Sequence, residues 1–107
     1  MNVKQFRYLC VLSFLIVAFS TSAVMAADPI KIGIIQGLSG PYEIYAKAEV
    51  TGFEMGLEYF TKGTNKIIGR DVKLVVEDTQ LKAARAKMLL TKLYSDDKVD
   101  LAIGPTS

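Results

Sequence analysis

The stretch Ile30-Lys31-Ile32-Gly33-Ile34-Ile35, followed at once by Gln36-Gly37-Leu38-Ser39-Gly40-Pro41, decides how this chain folds. Four isoleucines in six residues favour extended backbone, and the Gly- and Pro-rich run after them breaks it. An apolar run bounded in this way predicts a buried strand opening into a tight loop.

Beyond that loop the hydrophobic period lengthens to that of a helix. Ala46, Val50, Phe53, Leu57 and Phe60 recur at spacings of four, three, four and three, while Lys47, Glu54 and Glu58 fall elsewhere on the wheel. This is an amphipathic helix. Gly52 and Gly56 each cost about 1 kcal/mol in a helix relative to alanine, so their spacing predicts a close approach to the sheet. Gly63, after Lys62, predicts the stop.

Thr64 to Asp71 reads as a polar connector turning at Gly69-Arg70-Asp71, and Val72-Lys73-Leu74-Val75-Val76 as a second strand. Asp78 or Thr79 is placed to cap the next helix. Its stripe is Ala83, Ala86, Leu90 and Leu93, and it ends at Ser95-Asp96-Asp97-Lys98. Val99-Asp100-Leu101-Ala102-Ile103-Gly104 is then a third strand, and Pro105-Thr106-Ser107 starts another loop.

Strand, helix, strand, helix, strand predicts an α/β fold: a parallel sheet with helices on both faces, joined by right-handed crossovers. The first and third strands are almost wholly apolar, as suits strands buried on both sides. The second starts with alternation and belongs nearer an edge, which gives the spatial order 2-1-3. The third strand would keep one open edge, so the expectation is an incomplete sheet that further chain would finish.

The 26 residues before Ala27 have the composition of a secretory signal. Lys4 and Arg7 supply the positive start, Leu9 to Phe19 the apolar centre, and Val24-Met25-Ala26 a small-side-chain cleavage site. An apolar run of about 11 residues is short of the ~20 needed to cross a bilayer. Cleavage after Ala26 would leave residues 27–107 as the folded segment and would remove Cys10, the only cysteine. The remainder has neither disulfide nor histidine, so no usual soft metal ligand is left, and neither a metal nor a cofactor is expected.

The chain has a formal charge of +2, but Lys4 and Arg7 account for it. The other 11 basic residues balance 11 acidic ones. A neutral domain with no basic stripe gives no reason to expect nucleic acid as a partner.

In open parallel sheets, ligands bind beyond the carboxyl ends of the strands, where the strand order reverses. With order 2-1-3 that point lies between the loops Ser39-Gly40-Pro41-Tyr42 and Pro105-Thr106-Ser107. Hydroxyls, bare amides at glycine and tyrosine rings suit capture of a small ligand. Helix N-termini fed by such loops favour one that carries a carboxylate.

Enzyme motifs fail on spacing. Gly33, Gly37 and Gly40 do not make the dinucleotide-binding G-x-G-x-x-G, and Gly63 to Gly69-Arg70 is not a P-loop. Gly37-Leu38-Ser39-Gly40-Pro41 is not a nucleophile elbow, because Pro41 stands where glycine is needed and no histidine is present. No catalytic residue is assigned.

Several separated segments, taken in order, resemble the branched-chain amino-acid ABC transporter substrate-binding family. They are Ile30-Lys31-Ile32-Gly33, Leu38-Ser39-Gly40-Pro41, Thr51-Gly52-Phe53, Gly69-Arg70, Val75-Val76-Glu77-Asp78-Thr79-Gln80 and Ile103-Gly104-Pro105-Thr106-Ser107. The resemblance implies a type I periplasmic binding fold, with two α/β lobes closing over a solute, of which residues 27–107 would begin the first lobe. It implies a periplasmic location, an inner-membrane ABC permease as partner and a monomeric full-length protein. It also implies that Tyr45 touches the ligand, with Thr106 and Ser107 contributing hydroxyl and backbone contacts to its carboxylate. Ser39 and Tyr42 complete the candidate set. Tyr42 stands where some relatives carry a small residue, and some relatives look like aromatic-acid binders. The expected ligand is therefore a branched-chain amino acid or another small carboxylate, aromatic acids included. Two other readings stay open: an extracellular sensing domain of a receptor, and a secreted α/β enzyme with its catalytic groups elsewhere.

Overall fold

A computed structural model of the chain describes residues 2–5 and 26–105. Most of the signal-like stretch, residues 6–25, lies outside the described residues, as do Thr106 and Ser107.

The isoleucine run forms β1 (Ile30–Gln36), and the remaining strands are β2 (Lys66–Ile67), β3 (Arg70–Asp78) and β4 (Leu101–Ile103). Two helices connect them, α1 (Glu43–Phe60) and α2 (Ala83–Ser95). Strand β1 is central. It runs parallel to β3 from Ile30 opposite Val72 to Gln36 opposite Asp78. On its other edge it runs parallel to β4, with Ile32 to Ile34 opposite Leu101 to Ile103. The three main strands thus stand in the expected order.

One strand was not expected. Lys66–Ile67 pairs antiparallel with Arg70 and Asp71 and adds an edge, so the sheet reads β2-β3-β1-β4. The turn lies at Ile68-Gly69, not at Gly69-Arg70-Asp71. Both residues take positive φ (52° and 73°), as a two-residue hairpin with the right-handed twist demands. An isoleucine there gives little sequence signal for such a turn.

Alternation along β1 assigns a helix to each face. Gly33 and Ile35 point one way, and a Cβ on Gly33 would meet Leu93 of α2 at 2.8 Å. Ile35, Leu89, Leu93 and Val99 form the core on that side, with Val75 and Ala102 packed against them. Ile32, Ile34 and Gln36 point the other way, and Gln36 Nε2 donates to Glu49 of α1 at 2.7 Å.

The helix stripes differ from expectation in detail. Helix α2 buries Leu89 and Leu93, while Leu90 stays 39% exposed, so its inner face is turned by one residue from the expected stripe. Helix α1 buries only Ala46, half-buries Val50, Phe53 and Leu57, and exposes Phe60. A Cβ on Gly52 or Gly56 would meet nothing within 4 Å, so these glycines face open space and not the sheet. The C-terminal stop of α1 is a Schellman-type turn: Lys62 takes φ 54°, and the Gly63 N–H donates to Glu58 C=O at 2.8 Å.

Candidate functional site

The parallel register puts Gln36 and Asp78 side by side at the carboxyl ends of β1 and β3. The loops that leave these strands are tied together there. The Thr79 N–H donates to Gln36 C=O at 2.8 Å. The Asp78 carboxylate accepts from the Leu38 N–H at 2.9 Å and the Ser39 hydroxyl at 2.8 Å, both on the loop after β1. It also accepts from the Gln80 N–H at 2.8 Å. These donors, led by the Gln80 amide, hold the Asp78 carboxyl below its ordinary value of 3.8.

Asp78 and Thr79 therefore do not cap α2. That helix starts at Ala83 after Lys82, with no side-chain cap. The two side chains instead close small turns on the amides two residues ahead, Gln80 and Leu81. Such turns compete with helix capping for the same side chains, and the loop geometry decides the outcome.

The loop after β3 folds back over the loop after β1. Gln80 and Leu81 both have positive φ (52° and 57°), an uncommon state for a leucine. In that state Leu81 lies against Gly37, where a Cβ would come within 2.2 Å of Leu81 Cδ2. Glycine at 37 is what permits this contact. Gly40, at φ 90°, makes the turn into α1, and its C=O accepts from the Glu43 N–H at 3.1 Å.

Tyr42 directly precedes α1, and its C=O accepts from the N–H groups of Tyr45 (3.0 Å) and Ala46 (3.1 Å). Both tyrosines are open to solvent, Tyr42 at 54% and Tyr45 at 65% of full exposure. Glu43 and Lys47 form an ion pair along the same helix. On the other side of β1 the chain leaving β4 comes equally close. A Cβ on Gly104 would lie 2.0 Å from Ile35 C=O, so only glycine fits as the backbones meet.

Three loops thus leave neighbouring strand ends on one rim. Ser39 and Tyr42 lie on the first of these loops, Tyr45 in the first turn of the helix that follows it, and Gly104 leads out of β4 beside Ile35. The Ser39 hydroxyl gives its proton to Asp78 and keeps its lone pairs for another donor. Asp78 as a tie between loops was not anticipated. Its signal was an Asx side chain at a strand end with a free amide two residues on. Gln36, a buried polar side chain at the end of an apolar strand, lies at this rim without any local sequence signal for it.

Among the described residues, no group of three or more His, Cys, Asp or Glu is placed to hold a metal ion. The open hollow lined by Met55, Glu58, Tyr59, Lys62 and Gly63 lies at the other end of α1 from the rim.

Residues 29–107 match the family described as periplasmic binding protein. The chain belongs to that family. Solved structures of ABC transporter proteins agree in fold. An ABC-type branched-chain amino acid transporter from Rhodopseudomonas palustris superposes with a TM-score of 0.72 at 46% identity, over 73% of this chain and 21% of that one. A second ABC transporter from Rhodopseudomonas palustris gives 0.71 at 46% identity, covering 73% and 24%. The branched-chain amino acid transporter substrate binding protein of Streptococcus pneumoniae, in complex with isoleucine, gives 0.65 at 28% identity, covering 72% and 22%. The chain therefore spans about a quarter or less of the length of these solved proteins. The comparison with curated proteins returns no match.

Proposed function

We propose that this chain forms the start of the first lobe of a solute-binding component of an ABC importer, working in the periplasm. Residues 1–26 are its export signal and residues 27–107 begin the lobe. The ligand is a branched-chain amino acid or a related small carboxylate, and an inner-membrane permease receives it. The full-length protein acts as a monomer. Its task is capture and not catalysis: the ligand stabilises the closed arrangement of two lobes by its greater affinity for that state.

The observation that carries this reading is the rim itself. Loops leave the carboxyl ends of three adjacent parallel strands together, and the first of them runs into a helix start that carries the exposed Tyr42 and Tyr45. The 46% identity to a branched-chain amino acid transporter over 73% of this chain supports the same ligand class. Tyr45 walls the ligand, Tyr42 flanks it, and Thr106 and Ser107 bind the carboxylate through hydroxyl and backbone groups. Ser39 offers lone pairs to a donor on the ligand.

Calorimetric titration of the full-length protein with leucine, isoleucine, valine and benzoate tests this. Saturable heat with at least one of them is expected, and Tyr45→Ala weakens that binding by about tenfold or more, as for a buried aromatic contact. Absence of heat with all four ligands would refute the assignment of the ligand class.

A further inference from the structure

We propose that Asp78 is a positioning residue of this rim: through Leu38 and Ser39 it fixes the turn that starts α1, and so sets Tyr42 and Tyr45 before a ligand arrives. The inference rests on the reading of the rim as a binding edge. It adds a residue that touches no ligand.

The path is short and every link is a hydrogen bond or a packing contact. One oxygen of Asp78 accepts from the amides of both loops, Leu38 and Gln80, and the other accepts from the Ser39 hydroxyl. Bonds to an ionised carboxylate are about twice as strong as neutral ones. The backbone of Asp78 is itself held from α2, where Arg85 Nε donates to its C=O at 2.8 Å. One residue beyond Ser39, the Gly40 C=O receives the Glu43 N–H, and Tyr42 C=O then receives those of Tyr45 and Ala46. The first turn of α1 has no side-chain cap, so its place depends on the loop that feeds it.

The loop after β3 is also shaped for this task. Leu81 presses on Gly37 only because Gln80 and Leu81 sit in the left-handed region. That uncommon conformation is strained for residues other than glycine and persists only where surrounding bonds enforce it. Here the enforcing bonds are Gln80 N–H to Asp78, Leu81 N–H to Thr79 Oγ1 at 3.3 Å, and Lys82 N–H to Thr79 C=O at 3.0 Å. Thr79 is 1% exposed, so this anchor is dry. Removing the Asp78 carboxylate frees the β1 loop and relaxes the buttress that covers it.

A purely structural role for Asp78 would lower stability without a specific effect at Tyr45. The test therefore uses the full-length protein with 3-fluorotyrosine at position 45, observed by fluorine NMR without ligand. The wild type gives one narrow resonance. Asp78→Ala shifts or broadens it and weakens isoleucine binding about tenfold or more, while Ser39→Ala, losing one bond of three, weakens it about threefold. Asp78→Asn falls between them, because its amide nitrogen cannot accept the serine proton. Leu93→Ala, remote from the rim, lowers Tm yet leaves the resonance in place. If Asp78→Ala does not fold, Asp78→Asn and Ser39→Ala carry the same test. Wild-type resonance and wild-type Kd in the folded Asp78 variant and in Ser39→Ala overturn the proposal. A wild-type protein that binds no amino acid removes the ligand assignment instead, and the fluorine signal of the unliganded protein still decides the role of Asp78.

Discussion

The two faces of the sheet carry similar amphipathic helices, yet only one face is closed. On the α2 side, Leu93 is fully buried and Ile35, Leu89 and Val99 close around it. On the α1 side, Leu101 and Ile103 stand in register with Ile32 and Ile34 but remain 43% and 38% exposed. Val76, opposite Ile34, is similarly open. The apolar stripe of α1 reaches its sheet at Ala46 and loosens towards Phe60. An equal pattern in sequence does not give equal burial, because burial depends on how much sheet lies under the helix and what covers the helix from outside.

The largest test of this contrast pairs two leucines. Leu93→Ala is expected to cost about 3–4 kcal/mol of unfolding free energy, since a fully enclosed side chain leaves a cavity that cannot collapse. Leu101→Ala, on the open face, is expected to cost about 1 kcal/mol or less. Urea denaturation of the full-length protein measures both. A cost at Leu101 equal to that at Leu93 would show that further chain closes the α1 face as tightly as the α2 face.

A second pair uses glycines in the same way. Gly33→Ala drives a methyl group to 2.8 Å from Leu93 Cδ1 in a closed core, and overpacking there costs about 1–3 kcal/mol. Gly52→Ala adds its methyl where nothing lies within 4 Å and gains up to about 1 kcal/mol from helix propensity. Opposite signs in thermal unfolding support the contrast. Destabilisation at Gly52 would mean that another element packs against this stretch of α1.

The same contrast explains what was legible in the sequence. The runs Ile30 to Ile35, Val72 to Val76 and Val99 to Gly104 showed three parallel strands and their order, because short β-branched runs between helical periods favour extended backbone. The expected burial of the third strand on both sides does not hold, since Leu101 and Ile103 of β4 stay exposed. The rim followed from that order, with Tyr42 on the loop after β1 and Tyr45 in the helical turn that follows it. Three features were not legible. Lys66–Ile67 is too short for a periodic signal, and its turn uses an isoleucine at positive φ. The inner stripe of α2 was misassigned because Leu89 and Leu90 are both apolar and only packing against Gly33 and Ile35 chooses between them. Asp78 looks like a helix cap in sequence because its partners, Leu38 and Ser39, lie 40 and 39 residues away. Local rules cannot see bonds of that span. The Gly52 and Gly56 pairing misled for a related reason: a close approach is one use of such a pair, and no neighbour fills the space.

The smallest expected effect lies at the edge of the closed face. Lys92 on α2 bonds Glu77 at 2.7 Å, at the end of β3, and Asp97 at 2.9 Å, just beyond the helix. These two carboxylates, Glu77 first, raise the Lys92 ammonium well above its ordinary value of 10.5. A raised folded-state value means that the contribution is fully present below pH 10.5 and is lost only as pH climbs through the higher folded value. The group is exposed, so solvent and salt screen the pair and the gain is small. Lys92→Gln should therefore lower the urea midpoint slightly at pH 7, by the same amount at pH 9, and by almost nothing in 1 M salt. A difference that shrank between pH 7 and pH 9 would contradict the raised value. One that survived 1 M salt would show that this corner is drier than its exposure implies, and that the closed face extends past Leu93 to the rim of the sheet.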